Sequence, residues 1–407
     1  MRTYIFTLLC IVCLMPVSCV DMDDATGTVS HRVRLLAPEG LDKDRSAALV
    51  AQRTVTLSTS THKYEAQTDA EGVAVFSNLI PGIYDVSASL SLENEDYRQL
   101  TGDPTATRGG VAVGQRLSVM IGAEERTDLA LTLSKNGDIV IGKVFYAGSK
   151  GVRNYLAGKF VELYNQSDDS VDVSGLYLGL VESESTPAYT LDNLHTAFAD
   201  SVVLLKQVFR IPASAPCLVA PGGTVLLVNS ATDHTPNNDM EHDLSHADFE
   251  AKNASGIFVN NPDVPALELI YTTNASLSYM NLVQSGPCGL VIFRTHADVS
   301  TYARTYAYGK SSGTQWLVLP KREVVDAVDI LRQKSTGVDV ETKRLGNDID
   351  AGYTNIQAVS GWTGEIVYRR TAGVGRSGQK LLSDTNNSSA DFQVSTSIGI
   401  RVYDEAK

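Results

Sequence analysis

The sequence predicts an all-β protein of two β-sandwich domains, a small one followed by a larger one with long loop insertions. Two observations carry that prediction. Short runs with period-two alternation, such as Thr54-Val55-Thr56-Leu57-Ser58, recur between turn-forming clusters such as Pro81-Gly82 and Pro221-Gly222-Gly223. Beyond Asp138 no convincing long helix is written into the chain. With 407 residues there is room for two or three separate cores. A formal charge of −13 argues against a nucleic-acid partner, which needs a basic face to displace counterions from phosphates. The same charge suits an anionic, extracytoplasmic surface.

Residues 1–18 read as a signal peptide. Arg2 supplies positive charge, and the apolar run 4–17 is too short to span a bilayer stably. It ends Pro16-Val17-Ser18-Cys19, which resembles a bacterial lipobox cut before Cys19, whose thiol is then lipidated. Pro16 departs from that pattern, because leucine is usual there. An ordinary secretory signal with an incidental cysteine would read the same way. Residues 19–30 form an acidic tether, and Asp21, Asp23 and Asp24 resemble the signal that sends Bacteroidetes lipoproteins to the cell surface. The expected address is therefore the outer membrane, exposed at the cell surface through a lipid anchor. Of five cysteines, Cys10 and Cys13 leave with the signal. Cys217 and Cys288 remain, and could form a disulfide in an oxidising compartment.

Residues 31–135 read as a small β-sandwich. A turn at residues 69–72 precedes a strand, and Pro81-Gly82 turns the chain into the next; Gly72 and Gly82 sit where a positive φ is expected. Thr68, Asp69, Gly72, Phe76, Leu79, Pro81, Gly82, Tyr84 and Val86 together resemble the carboxypeptidase-regulatory-like, or transthyretin-like, sandwich. That resemblance implies a spacer module without catalysis. A final alternating strand at 127–133 closes the unit, and the boundary falls at residues 134–137.

Residues 136–407 begin with two strand-like runs, 138–146 and 159–165, followed by a polar turn and a short strand ending at Gly179. In this opening, Phe160, Val161 and Leu163 are expected in the core. Further strand candidates are 224–229, 257–260, 267–271, 290–294, 301–308 and 315–320, while 324–332 fits either a helix or a strand. The run 159–165, then 171–178, 219–228, 324–328, 368–370 and 384–392, resembles a lamin-tail-type immunoglobulin-like domain. The whole of 137–407 is similar to Bacteroidetes lipoproteins of the DUF4876 family. The insert 182–208 and the loop 230–256 exceed a minimal lamin tail, so a ligand site is best sought there.

No set of residues amounts to a catalytic constellation. His234, Asp239, Glu241, His242, Asp243 and His246 crowd one loop, and His234, Asp239, His242 and His246 are the candidate ligands for a divalent metal. The spacing is weak, because Ser245-His246-Ala247-Asp248 reads as a capping box that would start a helix after His242. No cofactor is otherwise expected. Asp384, Asn386, Asn387 and Asp391 could hold calcium, although Asx-turns explain them equally well. Gly309-Lys310-Ser311-Ser312-Gly313 and Gly373-Val374-Gly375-Arg376-Ser377-Gly378 match catalytic and dinucleotide patterns in letters only, and both read as hairpin loops. Tyr302, Tyr306 and Tyr308 would share one face of a strand, as a packing or a stacking surface. Ser170 and Ser201 follow Asp and precede a hydrophobic residue, matching a short Bacteroidetes O-glycosylation motif.

These readings converge on a non-catalytic surface lipoprotein that captures nutrients with a TonB-dependent transporter as partner. A metal-acquisition protein using the 234–246 loop and a surface adhesion protein are the alternatives. A hydrolase assembled from dispersed acids and histidines is a third class that nothing in the sequence points to.

Overall fold

Alternating strands need a partner sheet to bury their apolar side, and residues 29–135 supply two. The computed structural model describes residues 27–59, 61–102, 109–122, 125–150 and 156–403, so the signal peptide, Cys19 and most of the tether lie outside the described residues. Strand β1 (Val29–Leu36) leads through helix α1 (Lys43–Val50) to β2 (Thr54–Ser58), β3 (Lys63–Gln67), β4 (Val73–Leu79) and β5 (Gly82–Leu92). Helix α2 (Asn94–Thr101) then precedes β6 (Gly110–Ile121), β7 (Arg126–Ala130) and β8 (Thr132–Lys135). Three strands order β4-β1-β7, and five order β3-β2-β5-β6-β8. Between them lie Val33, Val55, Leu57, Ala74 and Val86, none of which is exposed. Each large aliphatic buried in this way contributes about 1.5–3 kcal/mol.

The turn before β4 has a visible cause. Asp69 Oδ1 accepts from the backbone N–H of Glu71 (3.0 Å) and of Val73 (2.8 Å), and Gly72 adopts φ +78° against the Val50 side chain. Gly82 differs from expectation: it already belongs to β5 and is not among the positive-φ glycines.

The second unit is a larger sandwich. Its strands are β9 (Ile139–Phe145), β10 (Phe160–Asn165), β11 (Val171–Asp172), β12 (Tyr177–Val181), β13 (Val202–Arg210), β14 (Leu218–Val219), β15 (Thr224–Val228) and β16 (Phe249–Glu250). They continue as β17 (Glu268–Thr272), β18 (Leu290–Phe293), β19 (Arg304–Thr305), β20 (Trp316–Pro320), β21 (Val324–Val328), β22 (Arg332–Lys334) and β23 (Gly337–Asp339). The last are β24 (Ile366–Arg369), β25 (Thr371–Val374), β26 (Lys380–Leu382) and β27 (Phe392–Ser395). One sheet orders β16-β15-β10-β9-β24-β27; the other orders β19-β20-β13-β12-β18-β21, with β17 also on β13. Ile141, Val161, Leu163, Leu227 and Val367 of the first sheet meet Leu178, Leu180, Phe209, Ile292 and Val328 of the second.

Strands β9, β10 and β12 are buried on both faces. Phe145, Phe160, Leu226 and Val228 point away from the sandwich core and are roofed by Leu244, Ala247 and Val264 from loops. Phe160 therefore packs beneath this roof, while Val161 and Leu163 join the central core. Such strands read as continuous apolar runs because neither side meets water.

Several local expectations are corrected. The ambiguous 324–332 segment opens as strand β21, whose Val328 pairs with Leu290 of β18. Residues 257–260 form no strand, and 301–308 contributes only the two residues of β19. Helix α3 (Leu191–Phe198) sits inside the 182–208 insert, with the Thr190 hydroxyl accepting from Asn193 N–H at its start (3.2 Å). The two glycine-rich motifs lie in the β19–β20 and β25–β26 hairpin connections, as expected.

Candidate functional site

The two units meet along the outer face of the five-stranded sheet. Val111 and Val113 of β6 pack on Ala351, and Asn347 Nδ2 donates to the Gln115 carbonyl (2.7 Å). Beyond these contacts the surfaces diverge into a cleft of about 980 Å³.

Strand alternation explains what lines it. In β2 the residues Val55 and Leu57 face the core, so Thr54, Thr56 and Ser58 face outward; in β5 Val86 and Ala88 point in, leaving Asp85, Ser87 and Ser89 outward. Thr56 lies directly opposite Ser87, and Ser58 opposite Asp85, so the hydroxyls form one continuous sheet surface. The facing wall carries Tyr353, Asn355, Ser389, Phe392 and Gln393, with Arg370 and Lys63 among the lining residues.

Tyr353 is the side chain best held in place here. Its N–H donates to Ser389 Oγ (3.1 Å), and Ser389 Oγ donates to its carbonyl (2.9 Å). Its phenol reaches Asp85 Oδ2 at 3.5 Å, a long contact across the cleft. Asp85 Oδ1 also accepts from Ser118 N–H (2.9 Å). Burial raises the Asp85 carboxyl, opposed by these hydrogen bonds. Burial, followed by the adjacent Asp85 charge, pushes the Tyr353 phenol up to about 12. Among the described residues lining the cleft, Asp85 is the one carboxylate. Hydroxyls, amides, a phenol and one acid suit hydrogen bonding to a polar, hydroxyl-rich ligand.

A second cavity, about 390 Å³, opens where the 182–208 insert meets β17 and the segment after it. Ser183, Glu184, Lys206, Gln207, Asn274 and Trp316 are among its lining residues. Lys206 Nζ donates to Ser183 Oγ (2.6 Å) and to the Asn281 carbonyl (2.7 Å), and burial lowers its ammonium to about 8. The insert singled out from the sequence thus does line a cavity. Lys206 itself gave no signal, because it lies mid-strand in a run of apolar residues.

The proposed metal ligands do not converge. His234 is buried, with Nε2 3.0 Å from the Ser230 carbonyl and 3.3 Å from Thr232 Oγ1. His242 stands edge-on to Phe145 and Phe160, at 5.0 and 5.5 Å between ring centres. Burial holds its imidazole down to about 4, helped by the neighbouring Lys143 and His234 side chains. Asp239 and His246 are exposed. No helix starts at Ser245, because Asp248 is used by the sheet: Asp248 N–H donates to the Leu226 carbonyl (3.1 Å) and Leu226 N–H to Asp248 Oδ2 (2.7 Å). Among the described residues, no group of three or more His, Cys, Asp or Glu is placed to hold a metal ion.

Two further sequence readings meet their structural counterparts. Cys217 and Cys288 are both free thiols, Cys288 fully buried and Cys217 partly so, which corrects the possible bridge. Their backbones are committed to different neighbours: Cys217 N–H to Asp172 Oδ1 and Cys288 N–H to the Ile330 carbonyl. The calcium candidates serve the fold instead. Asp391 receives Thr385 N–H (2.8 Å) and Thr385 Oγ1 (2.8 Å), while the Asn387 side chain caps helix α4 (Ser388–Asp391). Tyr302 donates to Glu323 Oε2 (2.6 Å) and Tyr308 packs edge-on to Tyr189, so these tyrosines are absorbed in separate contacts. Ser170 and Ser201 are exposed, and the Ser201 hydroxyl donates to the Phe198 carbonyl (2.5 Å).

Comparison with known proteins gives a fold and a family match. Residues 220–397 match the model of a family described as a protein of unknown function, DUF4876. A crystal structure of a DUF4876 family protein from Bacteroides thetaiotaomicron VPI-5482 superposes with a TM-score of 0.53 at 19% identity, covering 90% of this chain and 94% of that one. A crystal structure of a DUF3823 family protein from Parabacteroides merdae ATCC 43184 matches at 9% identity over 45% of this chain and 90% of that one, with a TM-score of 0.14 that carries no argument about fold. No curated protein matches the chain.

Proposed function

We propose that this chain is a surface lipoprotein that binds a polar, hydroxyl-rich solute in the cleft between its two sandwiches. In this reading Cys19 is the lipidated residue and the outer membrane the anchor. The first sandwich is a transthyretin-like stalk, and the second a lamin-tail-type domain that presents the ligand to a TonB-dependent transporter. The observation that carries the reading is the cleft itself. Its hydroxyl face comes from one unit and its tyrosine wall from the other, so both must be present for a ligand to be enclosed. Neutral oligosaccharides match that lining, because each sugar hydroxyl can both donate and accept.

The test is a calorimetric titration of the soluble chain with oligosaccharides selected on a glycan array. Tyr353→Ala and Asp85→Ala should each weaken binding about tenfold or more, the scale of one lost buried hydrogen bond. Binding that survives both substitutions unchanged would remove the cleft as the site. Metabolic labelling with a fatty acid, lost in Cys19→Ala, tests the anchor independently.

A further inference from the structure

Soluble surfaces rarely gather large apolar side chains on one rigid turn without a use. Here Ile80, Ile83 and Met120 are 52%, 57% and 52% exposed. They are neighbours: Ile83 pairs with Met120 across β5 and β6, and Ile80 lies in the turn entering β5. The turn is fastened, since the Tyr84 hydroxyl donates to the Ile80 carbonyl (2.8 Å). Gly122, at φ +110°, lies close to the Pro81 ring, which a Cβ there would approach to 3.0 Å. The apolar tip is therefore presented by the fold. Glu125 and Arg126, of opposite sign, stand at the start of β7 near the same end.

Its position says what it faces. Val29, the first residue of β1, pairs with Leu79, so the chain enters the fold beside this turn. Cys19 is ten residues upstream of Val29, a reach of at most about 35 Å. Strand β5 runs 11 residues, roughly 33 Å, from the tip along the face that meets the second unit, with Ile83 at the margin of the cleft and Tyr353 reaching Asp85 two residues on. An anchor on Cys19 thus keeps the tip within tether reach of the bilayer. We propose that the 80–83 turn, with Met120 beside it, docks on the lipid surface and inserts these side chains among the headgroups and upper acyl chains. This rests on the lipid-anchor reading of Cys19.

The experiment replaces the anchor with a controllable one. The mature chain from Val20, carrying an N-terminal hexahistidine tag, is bound to phosphatidylethanolamine–phosphatidylglycerol vesicles containing a nickel-chelating lipid. Tryptophan is introduced by Ile83→Trp at the tip, or by Ser89→Trp on the same strand face at its far end, with the parent emission subtracted. The proposal expects a blue shift and quenching by brominated lipid for Ile83→Trp, and neither for Ser89→Trp. No change at either position overturns it, as does quenching at both, which would mean the molecule lies flat. A blue shift of Ile83→Trp that grows with protein concentration and needs no vesicles overturns it in favour of a second copy as the occupant. Mass spectrometry of Cys19 from native membranes is read separately: an unmodified thiol there removes the anchor and leaves the vesicle result standing on its own.

Discussion

Arg369 and Asp326 form a fully buried ion pair, Nη2 to Oδ1 at 2.6 Å, that ties β24 in one sheet of the larger sandwich to β21 in the other. The same guanidinium reaches Asp391 (3.4 Å) and Asp384 (3.5 Å), and its Nε donates to the Ile141 carbonyl (3.0 Å). Asp326 in turn accepts from Ile141 N–H (2.6 Å). Removing the cation would strand buried carboxylates. Arg369→Met should cost about 3–5 kcal/mol, read as a lower urea midpoint with an unchanged slope. A loss below about 1 kcal/mol would show that the network is not a structural tie.

The cluster sets three carboxylates against one guanidinium, and that imbalance can be tested. Burial raises Asp326 to about 7; Arg369 opposes the rise and Asp384 adds to it. A carboxyl raised on folding stabilises the native state while protonated, and that contribution is lost as pH climbs from about 4 to about 7. Asp384→Asn removes one negative charge. It should flatten this decline, so that the variant matches the parent near pH 5 and equals or exceeds it at pH 8. A variant clearly weaker at pH 8 would contradict the argument.

His242 gives the opposite slope. Its imidazole is lowered from 6.5 to about 4, so the native state resists charging it, and stability present above pH 6.5 is lost as pH falls toward 4. Each pKa unit is worth 1.36 kcal/mol, which makes the loss about 2–3 kcal/mol by pH 4.5. His242→Phe keeps an aromatic ring against Phe145 and Phe160 and should remove that part of the acid sensitivity. Parallel acid profiles for parent and variant would count against it.

Both thiols should titrate without reductant. In denaturant, a chain beginning at Gly27 should show two groups reactive toward Ellman's reagent; when folded, Cys217 should react and the wholly buried Cys288 should not. The melting temperature should not move with dithiothreitol. Absence of free thiol in denaturant would mean that the two residues are bridged after all.

Gly142 in β9 has no room for a side chain, because a Cβ there would overlap the Tyr403 ring and hydroxyl. Gly142→Ala should cost about 1–3 kcal/mol by overpacking. In a Tyr403→Ala background the same change should cost much less, a non-additivity that thermal melts would show. Equal costs in both backgrounds would mean the strain lies elsewhere.

The sequence made some of this legible, and physical reasons separate those parts from the rest. The alternation of 54–58 and the paired runs flanking residues 146–159 report burial directly, and the structure holds them as β2, β9 and β10. The helix expected at Ser245 failed because a local capping pattern lost to pairing with β15. Helices α1 and α2 escape the pattern because each is only eight residues, about two turns, too short to display a helical period, although Asp42 and Gly102 mark a start and a stop. The acids at 384–391 were visible as a cluster, but their partner Arg369 comes from another strand. The cleft depends on Val111 and Val113 meeting Ala351 from a distant segment, and one-dimensional patterns do not record such a meeting.

The pairing of β1 with β7 is parallel, with five rungs from Arg32 opposite Arg126 to Leu36 opposite Ala130. A pull on the chain ahead of Val29, resisted beyond Ala130, would load all five rungs together, in shear rather than by unzipping. Under a load applied in that direction this first strand is the mechanical clamp, and it gives way only when every rung breaks at once.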